Sequence, residues 1–399
     1  MTETTATRNE LAEIIEELAP LQRLPASAGE RQAADSIGKR FIAAGCAARI
    51  EEVPAFDSYA RPLSILCGAA AAAGLLAGKG TVRRALGFAA GAAAAVGIVD
   101  DITVGRMAAR KALMPRRLTT NVIAEAGDPA ADKTLVVLVH HDAAPSGVIF
   151  GQQAERWLAD RHPGIIEKID TNPPLWWPVI AGPALVAAGS LFGKRGLRRA
   201  GVAVSAIATA ALADIARRPA VPGANDNLSG VAVALVLARR LRDKPVTGLR
   251  VLFVSAGAEE ALQQGVRAYA DQHFGEFDQQ STWFLTLDTV GSGRLVLLEG
   301  EGTVRMHDYG EQFKHLIAEC ADRTRVTLLR GLRSRNSTDG CVPNHYGFRS
   351  ATLVSVDEAK LLPNYHQYSD TPENVDYDCV AGAVTLCETV IRRLADSDA

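Results

Sequence analysis

Two histidines and several carboxylates in this chain stand where apolar stretches run out, and residues of those types can hold metal ions and move a proton. TLVVLVHHD ends in His140-His141-Asp142. In a strand His140 and Asp142 share a face, so Asp142 can accept the second N–H of a metal-binding His140 imidazole, the contact that usually orients such a ring. VPGANDNLSG places Asp226 and Asn227 on a turn leading into a helix, and a carboxylate held there has two oxygens with which to bridge two cations. LRVLFVSAGAEE ends in Glu259-Glu260. Adjacent carboxylates repel and lose solvation, which is tolerable when one binds a metal and the other serves as a base. TWFLTLD closes with Asp288, and His366 lies in the loop LLPNYHQYSDTPENVD. His140, Asp226, Glu260, Asp288 and His366 form a mixed nitrogen and oxygen donor set that suits zinc first, then manganese or cobalt. Each of two ions can take one imidazole, one terminal carboxylate and a share of a bridging one, the arrangement of a two-metal hydrolase.

Such a set needs a rigid frame. NVIAEAG, TLVVLVHHD, LRVLFVSAG, TWFLTLDTVG and ATLVSV read as strands. VAVALVLARRL, MHDYGEQFKHLIAEC and VDYDCVAGAVTLCETVIRRL read as helices with an apolar stripe. Their alternation predicts an α/β fold with a mostly parallel central sheet flanked by helices. In such sheets the chemistry gathers at the carboxyl ends of the strands, where all the candidate residues fall.

The ordered set H-x-D, G-A-x-D-N-x-S-G, E-E, a strand-end D and Y-H before D-T resembles the M28 family of zinc peptidases. LQRLPASAGERQAADSIGKRFIAAGCAARIEEV resembles that family's opening helix and strand, and TTNVIAEAGDP its approach to the first motif. The resemblance covers residues near 20–56 and 118–399, apart from one apolar insertion. It implies the phosphorylase/hydrolase fold of zinc aminopeptidases. It also implies two zinc ions per chain, one on His140, Asp226 and Asp288, the other on Asp226, Glu260 and His366. Glu259 would be the general base, acting on a metal-bound water and passing its proton to the leaving amine, with Asp142 completing the catalytic set. The implied activity is exopeptidase removal of N-terminal residues from peptide or aminoacyl substrates. A carboxypeptidase, another amide hydrolase and a cyclotransferase are the neighbouring readings. A non-catalytic membrane scaffold is the alternative class, but it should show lost ligands, and none is lost. Two departures bear on substrate preference: Ala143 follows H-x-D, and Glu259-Glu260 continue as Ala261-Leu262-Gln263-Gln264-Gly265-Val266.

The remaining features bound the context. A chain of 399 residues with 48% hydrophobic and 22% charged residues is a packed globular protein. Its net charge of −2 and aromatic content of 6% argue against nucleic acid as a partner. Cys46, Cys67, Cys320, Cys341, Cys379 and Cys387 are scattered and read as buried thiols. Asp339, in NSTDGCVPNHYGF, resembles a segment that lies near the pocket in the M28 family, but the turn-former reading is at least as good. His141, His162, His273, His307, His315 and His345 read as surface or core groups, with His141 and His345 the nearest to lining a pocket.

Two uncharged pairs of segments interrupt the pattern. One pair spans 62–78 and 85–99, joined by a basic turn with Lys79, Arg83 and Arg84. The other spans 174–193 and 200–213, joined by a turn with Lys194, Arg195, Arg198 and Arg199. Helices apolar all round must be buried in protein or in lipid. The expected division is 1–60, 101–170 and 219–399 for the catalytic domain, with hairpin inserts at 61–100 and 171–218. Trp176 and Trp177 resemble an interfacial anchor, so membrane association is expected, with a four-helix lobe buried against itself or a second subunit as the alternative. No secretory signal precedes the first hairpin, which favours a cytoplasmic active site.

Overall fold

Strands whose two faces are both apolar must be covered on both sides, and this demand organises the chain. The computed structural model describes residues 3–78 and 80–396; Lys79 of the first basic turn lies outside them. In chain order the elements are α1 (Glu3–Leu18), α2 (Ala28–Ala43), β1 (Ala47–Ala55), α3 (Ala60–Leu76), α4 (Thr81–Ile102), α5 (Ala108–Leu113), β2 (Arg117–Gly127) and β3 (Thr134–His140). There follow α6 (Gln153–Arg161), α7 (Pro163–Lys168), α8 (Trp177–Leu191), α9 (Arg195–Ile215), α10 (Leu228–Asp243), β4 (Arg250–Ala256), α11 (Gln264–His273), β5 (Thr282–Leu287), β6 (Arg294–Leu297), β7 (Gly300–Glu301) and β8 (His307–Asp308). The chain closes with α12 (Glu311–Thr324), β9 (Leu328–Leu329), β10 (Arg333–Ser334), α13 (Cys341–His345), β11 (Arg349–Val356) and α14 (Tyr377–Asp396).

The main sheet has eight strands in the order β1-β2-β4-β3-β5-β11-β6-β9. Its centre, β4-β3-β5-β11, is parallel; β1, β2 and β6 join it through antiparallel pairs. The mixed α/β fold with a mostly parallel centre is therefore as expected. Alternation along β3 divides the core. Leu135, Val137 and Val139 face the layer formed by α1, α2, α10, α12 and α14. Val136 and Leu138 face α11 and the aromatic cluster of Tyr269, Phe274, Phe284 and Phe348. One difference concerns MHDYGEQFKHLIAEC: the helix starts only at Glu311, after Gly310 at its cap, because His307 and Asp308 pair with β7 in a small second sheet.

The two apolar hairpins do not stand apart. They pack into one four-helix bundle, α3 against α9 and α4 against α8. Small residues permit close contact between helices. A Cβ on Gly91 would meet the Ala187 backbone nitrogen at 2.7 Å. Arg84 ties the two distal turns together by donating to the carbonyls of Ser190 (3.0 Å) and Leu191 (2.7 Å).

At its foot the bundle is fastened to the carboxyl end of the sheet. Arg110 on α5 is fully buried, pairs with Asp101 of α4 at 2.7 Å and donates to the Ala261 carbonyl. The Trp177 indole donates to the Thr303 carbonyl (3.3 Å), and Thr303 Oγ1 donates to that of Ile102 (2.9 Å). Removing one member of a buried ion pair leaves the other charge uncompensated. Arg110→Ala is thus expected to destabilise the fold by about 3–5 kcal/mol, read from denaturant midpoints, whereas Asp101→Leu with Arg110→Met should recover most of the loss.

Candidate metal centre and active site

His140, Glu259, Glu260 and Asp288 are placed by the ends of strands, Asp226 by the turn before α10, and His366 by the loop after β11. β3 ends at His140 in register with Ala256, the last residue of β4. Beyond β4 the chain turns through Gly257 and Ala258, the latter at φ +51°, into a single 3-10 turn holding Glu259 and Glu260. A Cβ at position 257 would lie 2.0 Å from the Glu30 carboxylate, which accepts the Thr120 amide at 3.1 Å, so this close approach requires glycine. Asp288 directly follows β5. Asp226 precedes α10, whose cap Asn227 accepts from the Gly230 and Thr289 amides at 3.2 and 3.0 Å and donates to the Leu287 carbonyl at 2.8 Å. Asn227 thereby fastens the Asp226 turn to the end of β5. The Asp226–Asn227 peptide bond is cis.

All five expected ligands come together. Donor atoms of His140, Asp226 and Asp288 lie within 4.8 Å of one another, as do those of Asp226, Glu260 and His366. Asp226 stands between: its Oδ1 is 3.3 Å from His140 Nε2 and its Oδ2 is 3.4 Å from His366 Nε2. His366 Nε2 is also 3.2 Å from Glu260 Oε2. Glu259 lies beside them on the wall of the same cavity. The His366 ring stacks on Tyr365 (centroids 3.8 Å apart) and meets the edge of Phe150 at 4.5 Å.

Asp142 has a different place from the other six. It is fully buried, and its oxygens accept the backbone N–H groups of Glu259 and Glu260, each at 3.0 Å. Its Oδ1 is 3.5 Å from His140 Nδ1. Asp142 thereby locks the end of β3 to the Glu259-Glu260 turn. His141 does not line a pocket either. It is fully buried, with Nδ1 3.0 Å from Ser255 Oγ, and burial depresses its pKa to about 4. His345 does line a second, smaller cavity near the foot of the bundle.

Electrostatics show what the cluster lacks. Burial pushes the Glu259 carboxyl well above the usual carboxylate range; His140 opposes the shift, while Asp339 and Glu260 reinforce it. Burial, with Asp226 adjacent, lifts Asp288 to about 6. Burial alone would depress the imidazoles, but the carboxylates outweigh it: Asp142 and Asp226 raise His140, while Glu260 and Asp226 take His366 to about 10. The two imidazoles in turn hold Asp226 low against its own burial. The pocket gathers more negative charge than its own cations neutralise, and a divalent cation is the complement that replaces the protons. Glu260 Oε1, buried and without a hydrogen-bond partner among the described residues, fits the same conclusion.

Four neighbours escaped the sequence reading. Asp339, read as readily as a turn former, is 1% exposed, has no hydrogen-bond partner among the described residues for either oxygen, and carries a strongly raised pKa through burial among Asp142, Asp288 and Glu301, against the pull of His140. Asp370, the acid of the D-T pair, accepts the amides of Asn225 (2.8 Å) and Asp226 (3.1 Å) and so fixes the bridging residue. Arg23 is buried and donates to the carbonyls of His141 (2.9 Å), Leu18 (2.7 Å) and Pro222 (2.8 Å), joining the first two motifs. Gln263 donates from Nε2 to Glu259 Oε1 at 3.1 Å and to the Ser337 carbonyl at 3.0 Å. The only signal for Arg23 and Asp370 was their place inside the quoted motifs. Gln263→Leu keeps the volume and removes the hydrogen bond that orients the Glu259 carboxyl, a contact worth about 0.5–1.5 kcal/mol. The expected result is a fall in kcat of about tenfold with KM little changed, measured by steady-state kinetics.

Comparison with known proteins agrees with this geometry. The sequence profile described as "Peptidase family M28" matches residues 207–390. No curated protein matches the chain. Among solved structures, the aminopeptidase from Aneurinibacillus sp. strain AM-1 is similar at a TM-score of 0.58 and 15% identity, over 98% of this chain and 94% of that one. A glutaminyl cyclase from Bacteroides thetaiotaomicron gives 0.57 and 13%, over 96% and 97%. BSAP, a zinc aminopeptidase from Bacillus subtilis, gives 0.55 and 13%, over 98% and 95%. These likenesses show a shared fold. The matched segment, residues 207–390, carries Asp226, Glu259, Glu260, Asp288 and His366 and is similar to peptidase family M28.

Proposed function

We propose that this protein is a zinc-dependent exopeptidase of the aminopeptidase type. The observation that carries the reading is the division of the Asp226 carboxylate between two imidazoles, one oxygen to each. His140, Asp226 and Asp288 would hold one ion, and Asp226, Glu260 and His366 the other. Zinc held by these residues supplies Lewis acidity and brings the pKa of water down to about 7. Glu259 then takes a proton from the attacking water and delivers it to the nitrogen of the breaking C–N bond, so that the amine leaves neutral. Gln263 holds the Glu259 side chain for that transfer, and Asp142 holds its backbone.

The test is metal analysis of the purified protein combined with free-amine aminoacyl amides, acyl-blocked amides and N-terminal glutaminyl peptides. Hydrolysis confined to free-amine substrates, lost on chelation and regained with zinc, is the expected result. Turnover of only glutaminyl peptides would replace the reading with a cyclotransferase, and bound metal with no turnover would replace it with a scaffold.

The bundle supports a second element of the proposal, attachment to a membrane. α4 and α9 have 22 and 21 residues, long enough for about 30 Å of hydrocarbon. Their apolar windows are only 33% and 22% buried, whereas the core helix of a soluble protein is mostly buried. Leu75, Leu76, Val82, Leu86, Val96 and Ile207 all point outward. Charges gather at the two ends, with Arg83, Arg84, Arg195, Arg198 and Arg199 at the turns and Asp100, Asp101 and Asp214 at the foot. That distribution fits a slab of lipid between two aqueous faces.

A further inference from the structure

Beyond the metal cluster, the site cavity continues between the sheet and the segment that holds α6 and α7. Along β6, Leu295 and Leu297 turn into the helical core, and so does Leu353 of β11. The alternate residues Val296, Val354 and Val356 face the other way and line this cavity, whose volume of about 460 Å³ includes the space at Glu259, Glu260, Asp288 and His366. Ile166 and Ile169, from the segment leading to the bundle, line its opposite side. The cavity is continuous with Glu259, Asp288 and His366. Glu155 and Asp170 add two carboxylates to the wall, and Asn172 and Asn336 neutral polar groups, whereas the wall cations are engaged: Arg333 with Asp308 at 2.9 Å, and Lys360 with the carbonyls of Glu167 (3.0 Å) and Ile169 (2.8 Å). At about 30 Å³ for each water-sized unit, a volume of this size holds roughly fifteen. One amino-acid side chain leaves most of it empty, and a chain of about eight to ten carbons fills a large part.

We propose that the substrate carries a linear aliphatic chain of about eight to ten carbons, laid along the β6–β11 floor with its polar end at Glu259. The proposal rests on the hydrolytic reading above and adds to it the class of substrate.

The test uses the full-length, zinc-loaded protein in lipid nanodiscs. The substrates are p-nitroanilides of straight-chain 2-amino acids with four, six, eight and ten carbons. Binding of n-alkylamines of matching length is followed by calorimetry. Each buried methylene should raise kcat/KM and affinity about fourfold, up to eight or ten carbons. Val354→Phe in the floor and Ile169→Trp in the roof should each cap the rise near six carbons while leaving the four-carbon substrate unchanged; two variants guard against one misfolding. A plateau at six carbons in the unmodified protein overturns the proposal and leaves the peptidase reading standing. A rise that persists in both variants reflects partition into lipid and also overturns it. Absence of all turnover, with amine affinity that climbs with length and is capped in the variants, overturns the peptidase reading and supports the chain site.

Discussion

Glu259→Gln should bind its metals normally and lose at least about a hundredfold in kcat, the usual scale for a positioned proton carrier. The substitution keeps shape and volume, and the backbone amide at 259 still donates to Asp142, so the turn that carries Glu260 stays in place. What disappears is the basic oxygen. Gln263, which donates to that oxygen at 3.1 Å, can donate equally to the carboxamide oxygen, so the pocket has no reason to rearrange. Metal content by elemental analysis and kcat from steady-state rates decide the matter together. Two bound ions with near-normal turnover would remove Glu259 from the mechanism. Loss of metal would instead make Glu259 a ligand, an arrangement already hinted at by the third grouping of His140, Glu259 and Glu260 within 4.8 Å.

The second large effect concerns the bundle. Unmodified protein is expected to sediment with membranes and to resist high-salt and alkaline washing. Leu86, Val96 and Ile207 are 64%, 69% and 71% exposed and lie along the spans. A charged residue near the middle of a span costs about 2.5–3.5 kcal/mol. Changing all three to Glu should therefore release the protein from the membrane fraction. Because these side chains point away from the bundle's interior, the thermal transition of the catalytic domain should barely move. A full-length protein that is soluble without detergent and runs as a compact dimer would show that this surface meets a second copy instead, leaving the chemistry of the site untouched.

Four of the ligands were legible because they sit at the end of an apolar strand or on a small-residue turn, patterns that local sequence carries; His366 was legible only through the Y-H and D-T pairs of its loop. Their convergence was legible because strand–helix alternation brings the carboxyl ends of parallel strands to one edge. Asp142 was legible only in part. Spacing pointed it toward His140, but its stronger contacts are backbone N–H groups of residues 259 and 260, and those depend on β3 lying next to β4. Asp339 was legible only in part, for a related reason. A D-G pair is a turn signal in any sequence, and only tertiary packing buries it among other acids. The union of the hairpins into one bundle was legible only as one alternative, since glycines such as Gly91 and Gly201 say that something comes close but not which helix it belongs to.

The strand order has a consequence for dissecting the molecule. β3 lies between β4 and β5 at the middle of the sheet, yet it precedes them in the chain, with α8 and α9 in between. The segment that matches the family profile starts at residue 207 and leaves β3 behind. A fragment cut at that boundary would lose His140 and Asp142, and β4 and β5 would face each other across the gap of a missing strand, their backbone N–H and C=O groups unpaired. The smallest unit able to close the sheet begins before residue 134 and must bring the second hairpin with it, or replace that hairpin with a short loop.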